Sequence, residues 1–236
     1  MHGVPLYVKL ERYKKTLPKE YSKYVDKIEA KNIVKEILKD DIEIPKLVFI
    51  LDPKSDSVCI HPNHILKASH GGSGWYLDLG SKKVNNFIIK QNINFWMNNV
   101  YSTDIYNYIE SRVFVEEKID DLILGVTGNA IKYMFICIKG ISEVFITKMY
   151  DHVNVYDIDL NLLRPKEHPI DISENNFKRM KELAEVLGSP FPFVRIDFFL
   201  GKKDKIYFSE YNFINGKGGK QYFSDKYELK LGKLLR

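Results

Sequence analysis

The stretch Phe193–Gly219, FVRIDFFLGKKDKIYFSEYNFINGKGG, determines the fold that we predict for this chain. Residues 193–200 and 206–213 are rich in β-branched and aromatic residues, which favour strands. The polar segment 201–205 between them is typical of a turn. Together the three segments predict a β-hairpin.

One face of this hairpin would be polar. Residues i and i+2 of a strand share a face, so Arg195 lies with Asp197, and Glu210 lies with Asn212. If those faces coincide, one surface carries two carboxylates and an amide, which suit Mg²⁺ held with substrate phosphates, and a guanidinium, which suits a developing negative charge. A charged face in solvent is the alternative. The opposite face is apolar enough for a core: Val194, Ile196, Phe198, Tyr211 and Phe213.

The composition is that of a globular protein, because 44% of the 236 residues are hydrophobic and 13% are aromatic. This length is sufficient for a core and allows two lobes that share one site.

The net charge of +5 is spread along the chain, so we expect no nucleic-acid partner. No apolar run approaches about 18 residues and a signal-peptide pattern is missing, so we expect no membrane insertion and a cytoplasmic protein. No GxSxG or comparable nucleophile motif occurs, which leaves covalent hydrolase chemistry without support.

Hydrophobic spacing predicts a mixture of helices and strands. Helices are expected over 26–39 and 173–187, the second with Ser173 as its N-cap and Gly188 at its end. Strands are expected over 44–51, 65–69, 75–79, 112–119, 131–138 and 142–147. A helix around 92–99, a loop-rich segment 150–169 and a last helix within 221–236 complete the prediction. Helices mixed with antiparallel hairpins favour an α+β fold over a doubly wound sheet.

A lysine and a glycine loop form a candidate phosphate site. Lys67 lies on a predicted strand directly before Gly71-Gly72-Ser73-Gly74. Glycines let the backbone approach a polyanion, and the lysine could hold a nucleotide phosphate. The loop is not a Walker A motif, because no Lys-Ser/Thr pair follows it. A lysine at the rim of the sheet, with its amine in solvent, is the alternative.

The segment 115–119, VEEKI, ends an apolar strand in charged residues. It could serve as a hinge whose backbone edge pairs with a purine while a carboxylate accepts from the exocyclic amine or from ribose. A strand that simply reaches solvent is the alternative.

These segments occur in an order that resembles the ATP-grasp superfamily of carboxylate–amine ligases and, more closely, the TupA-like ATP-grasp family, named for teichuronopeptide biosynthesis. The resemblance is carried by DKIEAKNIVKEI, IPKLVFILD, HILKASHGGSG, RVFVEEKI, IKYMFICIKG and NNFKRMKELAEVLGSPFPFVRIDFFLGKKDKIYFSEYNF, which together run from residue 26 to residue 213. It implies an α+β ATP-grasp fold with a nucleotide cleft between two α+β lobes. The first lobe would be residues 1–118 with the glycine loop, and the second residues 119–236 with the metal-binding hairpin.

The resemblance also implies the roles of single residues in ATP binding. Lys27 and Lys67 would contact the ATP phosphates. The lid over the phosphates would be formed by Gly71, Gly72, Ser73 and Gly74. Adenine and ribose would meet the hinge segment, which consists of Glu116, Glu117, Lys118 and the nearby backbone.

The metal and the transferring group would lie on the hairpin face. By the same resemblance, Mg²⁺ would be held by Asp197, Glu210 and Asn212. Arg195 would stabilise the negative charge that builds during transfer, and Lys132 is assigned with it to the catalytic group.

The activity that the resemblance implies is an ATP- and Mg²⁺-dependent carboxylate–amine ligase. A carboxylate would attack the γ-phosphoryl group to give an acyl phosphate, and an amine would displace phosphate to form an amide. The substrates would be linked to a glycan, as in a cell-surface polysaccharide precursor. A sugar kinase with the same metal and lysines is one alternative, and a non-catalytic nucleotide- or glycan-binding module is the other.

Four departures from the family pattern bear on this interpretation. The family often has Asp-Tyr-Lys where this chain has Ala130-Ile131-Lys132, so one carboxylate is missing, which opens the non-catalytic alternative. Glu210-Tyr211-Asn212 replaces the family's Glu-x-Thr and is closer to the Glu-x-Asn of ATP-grasp enzymes in general, which favours a competent metal site. The segment after residue 213 is rich in Lys and Gly rather than Pro-Gly, and the N-terminal region is short for a three-lobed ligase.

Overall fold

The computed structural model describes residues 3–52, 59, 61–72, 74–101, 105–127, 129–164, 172–213 and 223–235. Within these ranges the chain forms six α-helices and two antiparallel sheets. The helices are α1 Leu6–Lys15, α2 Ser22–Val25, α3 Glu29–Leu38, α4 Asn86–Asn98, α5 Glu174–Gly188 and α6 Asp225–Leu234. Each helix of the described chain is too short or too polar to cross a bilayer.

The strands divide between a small and a large sheet. The small sheet has the order β1-β4-β2-β3, and its strands are β1 Leu47–Ile50, β2 His64–Ala68, β3 Tyr76–Asp78 and β4 Val113–Glu117. The large sheet has the order β10-β9-β8-β7-β11-β5-β6, with β12 paired to β11. Its strands are β5 Asp120–Asp121, β6 Gly125–Val126, β7 Lys132–Ile138, β8 Ile141–Met149, β9 His152–Tyr156, β10 Leu162–Arg164, β11 Phe193–Gly201 and β12 Lys205–Asn212.

The small sheet buries one face against α4. Leu66 and Val115 lie on this face and pack with Ile89 and Trp96 of the helix. The other face carries Lys67 and its neighbours, and it points away from α4 because side chains alternate along a strand. Burial of the apolar face therefore determines which way the polar residues of the small sheet point.

Both faces of the large sheet are covered by helices. On one face, Phe135 and Val194 pack with Val34 of α3 and Leu183 of α5. On the other face, strand residues such as Ile136 join a second core with α1 and α6. A Cβ on Gly232 of α6 would overlap the carbonyl of Val4, so glycine allows this close approach. Helices from the first 38 residues thus pack on the large sheet, and the predicted lobe boundary between residues 118 and 119 stays a prediction.

The predicted hairpin is confirmed as β11 and β12. Its turn contains left-handed residues, Lys203 with φ 59° and Asp204 with φ 56°. The predicted apolar face, which consists of Val194, Ile196, Phe198, Tyr211 and Phe213, lies in one buried cluster with α3 and α5. The predicted N-cap of α5 is also confirmed, because Ser173 Oγ accepts a hydrogen bond from the Asn176 N–H at 3.2 Å.

The loop-rich prediction for residues 150–169 was wrong for β9 and β10. Strand β9 pairs with β8 from Phe145↔Tyr156 to Met149↔His152, and β10 pairs with β9. The two strands have only five and three residues, so their strand conformation depends on pairing with neighbouring strands. The prolines of this segment lie outside the described residues.

Candidate functional site

A cavity of about 410 Å³ lies between the small sheet and the large sheet, and we call it the cleft. Its lining comes from α3, the glycine loop, β2, the end of β4, β7 and β12. The predicted site residues among the lining are Lys27, Lys67, Gly72, Gly74, Glu116, Glu117, Lys118, Lys132 and Glu210. Segments far apart in the sequence therefore meet in one cavity of the size of a small-molecule site.

The hairpin places its polar residues on one face, as predicted. Arg195 lies opposite Asn212, and Asp197 lies opposite Glu210. The Arg195 guanidinium donates to both Asp197 carboxylate oxygens, from Nε at 2.7 Å and from a terminal nitrogen at 2.8 Å. The amide nitrogen of Asn212 lies 3.5 Å from Asp197 Oδ2. Arg195, Asp197 and Asn212 stand behind Glu210, which reaches the cleft.

Both carboxylates of this face lie close to cationic side chains. Lys132 donates to Glu210 Oε1 at 2.6 Å and lies 3.9 Å from Asp197 Oδ2. Burial alone would raise the pKa of Glu210, but Lys132 and Lys27 lower it far below its usual range. Burial raises the pKa of Asp197, and the Arg195 guanidinium opposes that rise by stabilising the ionised form.

The donor set of this face suits a hard cation. Asp197, Glu210 and Asn212 contribute two carboxylates and one amide oxygen, and Mg²⁺ is commonly held by one or two carboxylates together with substrate phosphates. No group of three or more His, Cys, Asp or Glu side chains is arranged for a metal within the described ranges. The residues therefore fit a Mg²⁺ ion that arrives with a nucleotide, rather than a metal enclosed by protein ligands alone.

The small-sheet side of the cleft carries the lysine cluster, which consists of Lys27, Lys31 and Lys67. Glu116 accepts hydrogen bonds from the amines of both Lys31 and Lys67. Burial alone would raise the pKa of Glu116, but the two lysines lower it below its ordinary value. The predicted contact of Glu116 with adenine or ribose stays a prediction, and its carboxylate is already bonded to two cations.

Lys27 is held in place by the start of α3. The Asp26 carboxylate accepts from the N–H groups of Ile28 at 2.8 Å and Glu29 at 3.2 Å, and it also accepts from Arg112 at 2.7 Å. The Lys27 amine donates to the carbonyl of Gly71. Burial lowers the pKa of Lys27 to about 8, and the neighbouring lysines contribute to that shift. A bound anion would relieve the repulsion among these cations, and the predicted phosphate contacts of Lys27 and Lys67 stay a prediction.

The glycine loop packs against aromatic side chains. A Cβ on Gly71 would overlap Trp75, and a Cβ on Gly72 would overlap the ring of Tyr101. Gly74 has φ +84°, which favours glycine. Ser73, the fourth predicted lid residue, lies outside the described residues. The lid role of the loop stays a prediction.

The hinge segment lines the other end of the cleft. The Glu117 carboxylate accepts from Lys46 at 2.9 Å, and Lys118 forms an ion pair with Asp78. The backbone N–H of Lys118 donates to the Asn63 carbonyl at 2.8 Å. Apolar side chains line the cavity beside these charges: Ile65, Ile119 and Phe199.

Several lining residues were missed by the sequence analysis. Lys31 follows Lys27 by four residues on a helical segment, and this spacing could have shown that both lie on one face. Tyr76 donates from its hydroxyl to Asn129 Oδ1 at 2.7 Å and so links the small sheet to the loop before β7. Lys148 lies opposite Lys132 across β7 and β8, which no local pattern reveals.

A family model described as TupA-like ATPgrasp matches residues 8–236. No curated protein matches the chain significantly by sequence.

The fold is similar to solved ATP-grasp structures. D-alanine–D-alanine ligase from Helicobacter pylori is 18% identical over 90% of this chain and 61% of its own, with a TM-score of 0.54. N5-carboxyaminoimidazole synthase from Aspergillus clavatus, in complex with ADP and 5-aminoimidazole ribonucleotide, is 11% identical over 90% of this chain and 52% of its own, with a TM-score of 0.51. The ATP-grasp ligase PsnB, complexed with a phosphomimetic variant of a minimal precursor, Mg and ADP, is 13% identical over 92% of this chain and 58% of its own, with a TM-score of 0.50.

These identities are low, so the likeness concerns the fold alone. The chain spans 61% of the length of the H. pylori ligase and less of the other two structures. The family match nevertheless covers nearly the whole chain. The chain therefore belongs to the TupA-like ATP-grasp family.

Proposed function

We propose that this chain binds ATP with Mg²⁺ in the cleft and acts as a carboxylate–amine ligase. The observation that carries the proposal is the lysine cluster facing Glu210 of the hairpin across one cavity. Cations outnumber carboxylates there, which suits a polyanion such as a triphosphate. Membership in the ATP-grasp family supports the same conclusion.

The two sides of the cleft would have different roles in binding and catalysis. Lys27 and Lys67 would bind the phosphates, and Lys31 would reinforce them from the same helix face. The Mg²⁺ donors would be Asp197, Glu210 and Asn212, and the metal would supply charge neutralisation at the phosphate oxygens. Arg195 and Lys132 would stabilise the charge that develops during transfer.

The hinge end would receive the nucleoside. The apolar side chains of Ile65, Ile119 and Phe199 offer contacts for a planar base, and Glu117 and Lys118 lie beside them. The glycine loop would close over the phosphates. These assignments give a role to lining residues that come from distant segments of the chain.

The reaction would proceed in two displacements. The oxygen of a carboxylate attacks the γ-phosphorus, the bond to the β–γ bridging oxygen breaks, and ADP leaves with those electrons. The nitrogen of an amine then attacks the acyl carbon, phosphate leaves, and the amine loses a proton to give the amide. We propose glycan-linked substrates of a cell-surface polysaccharide precursor, and the cytoplasm as the compartment because ATP is supplied there.

A matrix of uronic acids and amino acids, incubated with ATP, Mg²⁺ and the purified chain, tests the proposal. We expect release of ADP and phosphate only when a carboxylate and an amine are both present, with the amide detected by mass spectrometry. A stable phospho-sugar would instead identify a kinase. An Asp197→Asn variant is the control, and it should bind nucleotide weakly and show no turnover.

One observation favours the non-catalytic alternative. Ala130 lines the cleft at the position where the family often has Asp, so a carboxylate near Lys132 is missing. A binding module predicts that a non-hydrolysable ATP analogue binds while no substrate pair in the matrix gives turnover. Restoring the carboxylate with Ala130→Asp would then create activity if the loss of this group is the cause.

A further inference from the structure

Two lysines lie side by side on the cleft face of the large sheet. Lys132 of β7 is the direct cross-strand partner of Lys148 of β8, and both line the cleft. Directly opposed residues of an antiparallel pair share a face with Cβ atoms about 5 Å apart, and like charges in that arrangement are destabilising. A negative charge nearby would therefore stabilise the pair.

Only one of the two lysines has that charge within the described part of the chain. Lys132 is matched by Glu210 at 2.6 Å and by Asp197 at 3.9 Å. No described residue forms an ion pair or hydrogen bond with the side chain of Lys148, which is half-buried. A half-buried cation that points into a cleft without a counter-charge is suited to an anionic ligand.

The position of Lys148 separates it from the metal donors. Neighbouring strands are about 4.8 Å apart, and β8 is two strands from β11, so Lys148 lies about 10 Å to the side of Asp197. It is on the side of β7 away from β12, beyond Lys132. A small molecule whose reacting group lies near Lys132 could therefore reach Lys148 with its far end.

Beside Lys148, the cleft is lined by the segments that flank β7 and β8. The turn Tyr150–Asp151 follows β8, and Thr127, Asn129 and Ala130 precede β7. Asn129 is engaged through its Oδ1 by Tyr76, and Ala130 has a small side chain that adds space. Small and polar side chains therefore line the cleft beside Lys148.

We propose that Lys148 binds a carboxylate that the substrate carries in addition to its reacting group, so that the enzyme acts on an acidic substrate with two anionic ends. This inference rests on the proposed function, because it assumes ATP in the remainder of the cleft. A charge-assisted hydrogen bond to Lys148 would select such a substrate over one with a neutral end.

Isothermal titration calorimetry with defined probes tests the inference. The protein is first titrated with the ATP analogue AMP-PNP and Mg²⁺, and the saturated complex is then titrated with succinate or with its monoamide, succinamate. We expect wild type to prefer succinate, and Lys148→Gln to lose about tenfold in succinate affinity with AMP-PNP affinity unchanged. Lys148→Arg should retain most of the preference because the charge stays.

Lys178→Gln is the matched control, because Lys178 is exposed on α5, on the opposite side of the large sheet. Equal succinate affinity in the Lys148 and Lys178 variants, or no succinate preference in wild type, would overturn the inference while AMP-PNP binding leaves the proposed function intact. Weaker AMP-PNP binding in Lys148→Gln would also overturn it and make Lys148 a nucleotide contact. Failure of wild type to bind AMP-PNP would contradict the proposed function itself.

Discussion

At the scale of single residues, Glu116 determines how two cations of the lysine cluster are held. Its side chain is 3% exposed, and it bonds to Lys31 and Lys67, whose side chains are 9% and 19% exposed. Removing one partner of a buried ion pair leaves an uncompensated charge. Glu116 is therefore a positioning residue, and Glu117 beside it provides a natural contrast because its ion pair with Lys46 is exposed.

We expect Glu116→Gln to lower the free energy of unfolding by about 3 kcal/mol, because two buried ammonium groups then repel each other without a carboxylate between them. Glu117→Gln should cost less than about 1 kcal/mol, since its pair with Lys46 is exposed. Urea denaturation of both variants measures the difference. Similar losses in the two would show that the buried pairing contributes little.

Under the proposed function, Lys27 should make nucleotide binding dependent on pH. Burial lowers its pKa to about 8 in the free protein, so its cationic form declines as the pH rises through that value. The ATP phosphates would bind the cationic form of Lys27. Above about pH 8, ATP binding would therefore be accompanied by the uptake of a proton. We expect AMP-PNP affinity to fall between about pH 7 and about pH 9.5.

Lys27→Arg provides the control for this pH effect, because a guanidinium stays charged throughout the range. Its affinity profile should be flatter than that of wild type when both are measured by calorimetry. Lys31 also has a lowered pKa through burial, so some dependence should persist. Parallel profiles in the two proteins would remove Lys27 from the phosphate site.

At the scale of elements, the glycine loop is positioned by the aromatic residues beneath it. Trp75 packs with Phe95 and Trp96 of α4 and with Tyr101. Gly72 lies directly against the ring of Tyr101. The loop and the end of α4 therefore move together if either moves, because close-packed groups transmit displacements.

We expect Gly72→Ala to lower stability by about 1–3 kcal/mol and to weaken AMP-PNP binding, because the new methyl group overlaps the Tyr101 ring. Adding Tyr101→Ala should restore part of both losses by freeing that space. Gly74→Ala is a useful comparison, since its Cβ meets nothing within 4 Å but its φ is +84°. A double variant that is no better than Gly72→Ala would show that the ring is not the obstacle.

At the scale of the whole molecule, the two sheets contribute opposite halves of one electrostatic arrangement. The small-sheet side supplies the lysine cluster, and the large sheet supplies paired carboxylates with their own cations. A ligand that contacts both halves stabilises the folded state by about 2.7 kcal/mol when its concentration is a hundredfold above its Kd. Thermal unfolding therefore reports binding without any knowledge of the acceptor substrate.

We expect AMP-PNP to raise the Tm of wild type more in the presence of Mg²⁺ than in its absence, and Glu210→Gln to lose that Mg²⁺-dependent increment. The amide keeps the size of the side chain but is a weaker ligand for a hard cation. Glu182→Gln on α5 is the control, because Glu182 pairs only at the surface with Arg179. A retained Mg²⁺ increment in Glu210→Gln would contradict the metal assignment.

Much of the fold followed from local patterns. The hairpin 193–213, helix α5 with its Ser173 cap, and the strand with Lys67 have strong periodicity and clear turn or cap residues, and these were predicted correctly. Strands β9 and β10 were missed because their segments are short, with five and three residues. Their stability comes from pairing with β8, and such non-local contacts leave no local signal.

The chemistry of the site could also be predicted in part from the sequence. Alternation along a strand places Arg195 with Asp197 and Glu210 with Asn212, and the register of β11 with β12 merged those two pairs into one face. The lysines were nominated by residue type and by position before a glycine loop or a helix. What each charge contacts was beyond the sequence, because ion pairs such as Lys67 with Glu116 join residues on different strands.

The sequence alone determined the element types, the polar face of the hairpin and the family, because these depend on local propensity, alternation and motif order. Only the tertiary structure decided that Glu116 holds Lys31 and Lys67, that Lys148 stands beside Lys132, and that the loop glycines are required by Trp75 and Tyr101. The physical reason is that charge balance and close packing depend on distances between segments, and those distances are set when the two sheets and their helices pack, not by the order of residues along the chain.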